Sequence, residues 1–281
     1  LQSLTLPYAG LKDNCIDEEN AISTYLFNPN VPEGTYAAGS PGYSGNCGIP
    51  ETLTSITITG GKIIPKNAFY GMRNLKTINI PNTITSIGDN AFYGCTLMQN
   101  GTLPSKLQII GNNAFNGCNS ATFGALTIPN TVTLIGNNAF ANCNGLTSVT
   151  VPGSVKTIGQ YAFSGCTSLK TAVIKNGVES IGERTFSDCT ALESLTLPYA
   201  GLSIENVKNN TYPLSTNLFS YGVPEGTYSA TGNGYNGVPK TLTSITITGG
   251  TRIPNSAFYG MSSLKTINLP NTITNIGSNA L

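Results

Sequence analysis

Tyrosines, cysteines and rows of hydroxyls are the residues here that could do chemistry, and histidine is missing. The chain contains no histidine, which removes a Ser-His-Asp triad, a Cys-His dyad and every His-containing zinc site. The 13 carboxylates are scattered. Their densest group, Asp13, Asp17, Glu18 and Glu19, does not follow the D-x-[DN]-x-[DN]-G calcium loop and reads as a solvated acidic loop. No glycine-rich phosphate loop precedes a helix. The expectation is no catalytic, cofactor or metal site, and no enzyme.

The seven cysteines fall into two groups. Cys95, Cys118, Cys143, Cys166 and Cys189 recur at one register, and Met72 and Met261 take the same slot elsewhere. Replacement by methionine marks a buried apolar position, so a reduced core ladder is expected. Cross-linking between neighbours is the alternative, and the spacing matches no zinc motif. Cys15 and Cys47 stand apart, close together in a stretch whose later counterpart has neither. Two cysteines gained or lost together read as a pair, so a Cys15–Cys47 disulfide is expected, implying an oxidising compartment.

Nine of the 13 tyrosines cluster in two stretches. Exposed tyrosine offers large contact area at low entropic cost. Tyr25, Tyr36, Tyr43, Tyr212, Tyr221, Tyr228 and Tyr235 are the candidate ligand contacts. The same rings could instead close a small core over a long loop. Hydroxyls also recur, for example Ser148, Thr150, Thr171, Ser194, Thr196, Ser244 and Thr246. β-propensity and solubility account for them. Two further readings are a polar groove for glycans or a protein, and an ice-binding face, whose flatness a curved array would spoil. Asn100-Gly101-Thr102 and Asn209-Asn210-Thr211 match the glycosylation sequon.

The elements that must position these residues come from a repeat. Leu75–Pro81, LKTINIP, returns as LTSVTVP at Leu146–Pro152 and LKTINLP at Leu264–Pro270. The full unit is L-x-x-I-x-I-P-x-x-I-x-x-I-G-x-x-A-F-x-x-C. It starts at Leu1, Leu53, Leu75, Met98, Phe123, Leu146, Leu169, Leu192, Leu242 and Leu264. A leading L-x-x-L-x-L every 20–29 residues is the leucine-rich repeat signature. About ten stacked turns of 22–25 residues are expected, roughly 48 Å long at the spacing of paired strands. No single turn can bury its apolar stripe alone; stacking buries it.

Within a turn, alternation at Ile78 and Ile80 marks a short strand, and Pro81 stops it. Gly88 reads as a tight turn. The A-F-x-x-C block predicts a single helical or 3₁₀ turn. Phe69, Phe92, Phe115, Phe140, Phe163, Phe186 and Phe258 should form an aromatic spine. The fold expected is mostly β and irregular, with short parallel strands and little helix. Neither end shows a polar cap, and an open repeat array is sticky, so the chain is expected to continue in the natural protein.

Two turns carry long inserts, at about 8–50 and 199–239. Leu53–Ala91 agrees with Leu242–Ala280 at 30 of 39 positions. A unit of about 190 residues is therefore repeated, 1–97 resembling 192–281, within one solenoid spanning 1–281. The charge balance is +1, with 10% charged residues against about 25% for a typical domain. That balance favours neither nucleic acid nor an acidic membrane. The longest apolar runs are too short to span a bilayer.

The run LTSVTVPGSVKTIGQYAFSGCTS, Leu146–Ser168, resembles the BspA-like leucine-rich repeat of treponemal and Bacteroides surface proteins. The inserts and ITITGG at Ile245–Gly250 also resemble modules of secreted repeat proteins from gut Firmicutes. Proline stands where commoner leucine-rich repeats carry asparagine, so that class's asparagine ladder is expected to be absent. The resemblance implies an extracellular, secreted or cell-surface recognition module, adhesin-like, binding host proteins or glycans; extracellular matrix proteins are partners described for the family. The alternative is a non-binding structural spacer within a larger surface protein.

Overall fold

A computed structural model describes residues 1–7, 36–37, 49–50, 52–99, 102–120, 122–200, 214–219, 228–231 and 234–281. These residues form a parallel β-solenoid whose only described helix is one short segment, Leu214–Leu218. Each regular turn has three sides: a first strand, a second strand of two residues, and a corner of hydrogen-bonded turns.

The first strands stack in parallel as two sheets. Ser3–Leu6, Ser55–Ile58 and Thr77–Asn79 make one. Gly124–Thr127, Leu146–Val151, Thr171–Ile174, Ser194–Leu197, Ser244–Ile247 and Thr266–Asn268 make the other. In the turn starting at Met98, residues 100 and 101 lie outside the described residues, and this break separates the described first strands into two groups. The second strands stay continuous across that break, from Ile63–Ile64 through Ser86–Ile87 and Ile109–Ile110 to Ser180–Ile181. Second strands occur in eight turns among the described residues. About eight turns are therefore complete, fewer than the ten starts counted in the sequence. The turns starting at Leu1 and Leu192 have described first strands, but their second-strand regions fall within the inserts.

The corner is not the helical or 3₁₀ turn that A-F-x-x-C suggests. Its N–H groups alternate. Asn113, Phe115 and Gly117 donate forward to Asn137, Ala139 and Ala141 carbonyls at 2.8, 2.8 and 2.9 Å. Ala114, Asn116 and Cys118 donate back three residues, to Gly111, Asn113 and Phe115. Half the donors thus serve the neighbouring turn, which a continuous helix could not allow. The geometry needs a left-handed residue in each turn, and asparagine supplies it at Asn67, Asn90, Asn113 and Asn138, with φ of 53–57°.

Gly88 has a different reason from the tight turn expected of it. Its φ is not in the left-handed region; Asn90 takes that role. A Cβ on Gly88 would instead lie 2.6 Å from Lys66 N of the preceding turn. Gly111, Gly136, Gly159, Gly182 and Gly277 face the same constraint.

An Asx ladder is also present, displaced from the position considered in the sequence. It follows the second strand and its glycine: Asp89 Oδ1 accepts from Asn112 N at 2.6 Å, Asn112 Oδ1 from Asn137 N at 2.8 Å, and Asn137 Oδ1 from Gln160 N at 2.8 Å.

The core runs down the axis. Rings stack from Phe69 through Phe92, Phe115, Phe140 and Phe163 to Phe186, with centroids 5.1–5.9 Å apart. Phe258 is buried, but the insert intervenes between it and the stack. Phe186 N donates to Leu218 O at 3.0 Å. Leu218 thereby takes the place alanine holds in a regular turn, and buried Phe219 follows it.

Beside the spine, Cys95, Cys118, Cys143, Cys166 and Cys189 are fully buried and unbonded to one another. Each Sγ donates to the carbonyl of a phenylalanine in the preceding turn, at 3.1–3.3 Å. Met72 and Met261 hold the slot in the turns that follow the inserts. Cysteine thus occurs where the preceding turn is regular and its phenylalanine carbonyl is in reach. Burial pushes the Cys95 thiol up to about 12 and raises Cys118, Cys143 and Cys189 well above the ordinary value.

Candidate recognition surface

Both inserts place an antiparallel strand pair at the same register. In the first, Tyr36–Ala37 pairs Ile49–Pro50, with Tyr36 opposite Pro50. In the second, Tyr228–Thr231 pairs Gly234–Pro239, with Tyr228 opposite Pro239. The span from tyrosine to proline is three residues longer in the first, the surplus in which Cys47 lies. Of the candidate contacts, the backbones of Tyr36, Tyr228 and Tyr235 belong to these hairpins, Tyr235 opposite Ala230. Tyr25, Tyr43, Tyr212 and Tyr221 lie outside the described residues, as do Cys15 and Cys47.

The second insert is tied down inside its length, which sequence reading missed. Arg184 N donates to Asn217 O, and Leu214 N to Ala257 O at 2.9 Å. Leu214, Leu218 and Phe219 are fully buried. The signal was present: Asn217-Leu218-Phe219 repeats the N-A-F of regular turns with leucine for alanine. The insert therefore divides into one stretch before this anchor and one after it, the second carrying the hairpin.

Arg184 and Tyr161, like Ser256, occupy the left-handed position that asparagine fills at Asn67, Asn90, Asn113 and Asn138, at φ of 54° and 57°. Arg184 Nη1 donates to the Tyr161 hydroxyl at 2.5 Å, and the guanidinium stands 5.7 Å from the ring centroid.

The outward residues of the first strands form two columns. Ser148, Thr171, Ser194, Ser244 and Thr266 lie in register, and so do Thr127, Thr150, Val173, Thr196, Thr246 and Asn268. Ser194 pairs directly with Ser244 although 50 residues separate them. Both columns therefore pass the insert without a gap.

A cleft of about 500 Å³ opens where the insert leaves the solenoid. Lys156, Glu179, Pro198, Tyr199, Gly249 and Gly250 are among its walls. Tyr199 is only 5% exposed, and its hydroxyl has no hydrogen-bond partner among the described residues. Burial, and secondarily the Glu179 carboxylate, raises its pKa above the ordinary phenol value, so it stays protonated. Among the described residues no group of His, Cys, Asp or Glu could hold a metal ion, and no helix is long and apolar enough to cross a membrane.

Residues 49–123, 119–230 and 235–281 match the family model described as a BspA type leucine rich repeat region, in six copies. Among solved structures, the chain is similar to a leucine-rich repeat protein from Bacteroides ovatus. Identity is 28%, covering 82% of this chain and 64% of that one, with a TM-score of 0.51. It is also similar to the leucine rich repeat protein of T. pallidum, at 28% identity over 50% of this chain and 65% of that one, TM-score 0.46. A leucine rich cell surface protein from Faecalibacterium prausnitzii aligns at 23% identity over 79% and 61%, TM-score 0.36. The chain spans less than two thirds of the length of each of these proteins. A search of curated proteins finds no match.

Proposed function

This chain belongs to the BspA-type leucine-rich repeat family, and from that premise we propose that it is a recognition segment of a secreted or cell-surface protein. Its ligand is a surface or extracellular matrix protein, or a glycan. The contacts come from the insert hairpins and the hydroxyl columns, and the segment has no catalytic role. The observation that carries the reading is the duplication of the hairpin. Tyr36 opposite Pro50 and Tyr228 opposite Pro239 present the same element twice on one scaffold. Elements repeated at fixed spacing raise the effective concentration of a second contact once the first is made. Surface location is supported by the family and by the repeat's resemblance to treponemal and Bacteroides surface proteins.

The test is a solid-phase screen of the intact chain against matrix proteins, mucin and a glycan array. A Tyr228→Ala, Tyr235→Ala double variant and a Thr150→Ala, Thr196→Ala, Thr246→Ala column variant run beside it. Saturable binding weakened by either variant supports the reading and assigns the face. No binding by folded protein to any ligand overturns it in favour of a spacer.

A further inference from the structure

We propose that the cleft at the root of the second insert is a sugar-binding subsite, taking one or two pyranose units of a glycan. The proposal rests on the recognition reading above and names a ligand class for one part of it. A volume of about 500 Å³ falls inside the roughly 300–1,000 Å³ range of small-molecule sites. The walls come from the turns on either side of the insert and from its root, so the cleft exists because the insert leaves there.

The chemistry of the lining selects the ligand. Two opposite charges stand together, Lys156 Nζ 2.7 Å from Glu179 Oε1, with side chains 56% and 60% exposed. They cancel, so a phosphate or carboxylate ligand finds no net field. An ammonium that only donates, beside a carboxylate that only accepts, matches a vicinal diol. One ring hydroxyl accepts from Lys156 while its neighbour donates to Glu179, and such charge-assisted bonds are the strong ones. Pair formation at this exposure contributes little, so a ligand separates it at small cost.

The remaining wall is apolar side chain and bare backbone. Pro198 and Val178 close the back of the cleft as buried apolar side chains, and Gly177, Gly249 and Gly250 line it with backbone. Gly249 must stay without a side chain: a Cβ there would lie 2.9 Å from Pro198 O and 3.2 Å from Asn176 Oδ1. Asn176 is committed to the wall itself, accepting from Thr248 Oγ1 at 2.7 Å and donating to Thr248 O at 3.3 Å.

Tyr199 supplies the second, independent observation. A buried hydroxyl without a partner is costly and calls for an explanation. The charge that acts on it is Glu179, whose exposed side chain is ion-paired with Lys156. A sugar hydroxyl admitted when the ligand separates that pair gives Tyr199 the partner it lacks.

The experiment is saturation-transfer NMR on the intact chain with the methyl glycosides of glucose, galactose, mannose and N-acetylglucosamine. Transfer to at least one sugar is expected. Glu179→Gln and Tyr199→Phe should each weaken it by roughly tenfold, the loss of one hydrogen bond in a partly desolvated site. Without sugar, Tyr199→Phe should unfold at an equal or higher urea midpoint, which shows that the variant folds and that the hydroxyl was unpaired. No transfer to any of the four sugars overturns the proposal, as does transfer unchanged in both variants. The macromolecular screen is read separately. Binding there without sugar transfer removes the cleft alone and leaves the recognition reading standing.

Discussion

Gly159→Ala tests how closely successive turns must approach. A Cβ at Gly159 would lie 2.4 Å from Asn137 N, 2.5 Å from Gly136 C and 2.7 Å from Asn137 Cα. Carbon contacts are comfortable at about 3.5–4.0 Å, so the gap must open by about 1 Å. All three atoms are backbone, and no side chain can rotate away. Two hydrogen bonds cross the gap at this point: Gly159 N to Ile135 O and Gln160 N to Asn137 Oδ1, both 2.8 Å. Opening by that amount takes both beyond bonding distance. Their loss at about 1 kcal/mol each, with about 1–3 kcal/mol of overpacking strain, gives about 3–5 kcal/mol. Gly94→Ala is the control. Its nearest neighbour is Gly71 Cα at 3.9 Å and its φ is 70°, so only the left-handed penalty of about 1–2 kcal/mol applies. Urea unfolding followed by far-ultraviolet circular dichroism reads both. The reasoning fails if Gly159→Ala costs under about 1 kcal/mol, or if the control costs as much as the test.

Three further outcomes are expected. Phe140→Ala removes a fully buried ring stacked at 5.1 and 5.5 Å on its neighbours. It should cost about 3–5 kcal/mol and, because stability is nearly a sum over adjacent turns, split the urea transition in two; one unsplit transition at the original midpoint would contradict this. The thiols of Cys95, Cys118, Cys143 and Cys189 are raised above the ordinary value of 9.0, Cys95 to about 12. Below pH 9 both states hold these protons. Above it the unfolded chain releases what the folded chain keeps, so stability falls by about 1.4 kcal/mol per pH unit per thiol until the folded values are passed. Cys95→Ala should decline less steeply between pH 9 and 11 than the parent; equal slopes would refute the account. Finally, a Cys15–Cys47 disulfide leaves five titratable thiols in denatured, unreduced protein, and a count of seven would exclude the bond. Closing that loop of about 30 residues should stabilise it by about 3–4 kcal/mol.

What the sequence made legible was everything that depends on side-chain period. The apolar register fixes which residues face the axis, so the phenylalanine spine and the cysteine column follow from counting. What it hid depends on distances between backbones one turn apart. Gly88 and Asn90 sit two residues apart, and a turn signal attaches naturally to the glycine. Yet asparagine carries the left-handed φ, and glycine is there because a Cβ would strike the turn before. The Asx ladder was hidden for a similar reason. Asp89, Asn112, Asn137 and Asn255 are ordinary loop residues until their spacing of one full turn brings each Oδ1 to a neighbour's N–H. In the second insert, Leu218 replaced the alanine of N-A-F, and that single substitution concealed the anchor. The tyrosine candidates are the least legible of all, because a ring that binds and a ring that closes a loop have the same composition.

The second insert interrupts only one side of the solenoid, and that bears on function. The first strands pair from Ser194–Leu197 to Ser244–Ile247, and Leu218 takes the corner position by accepting from Phe186 N. A solenoid interrupted on all sides at one level would lose the nearest-neighbour interface that holds it together. With one side always intact, a turn can release about 27 extra residues without that loss. The side kept intact at the insert is the one that carries the hydroxyl columns. Cleft and columns are therefore fixed with respect to one another by the pairing of the first strands across the insert. A ligand that touches both meets a preformed surface, which lowers the ordering cost of binding.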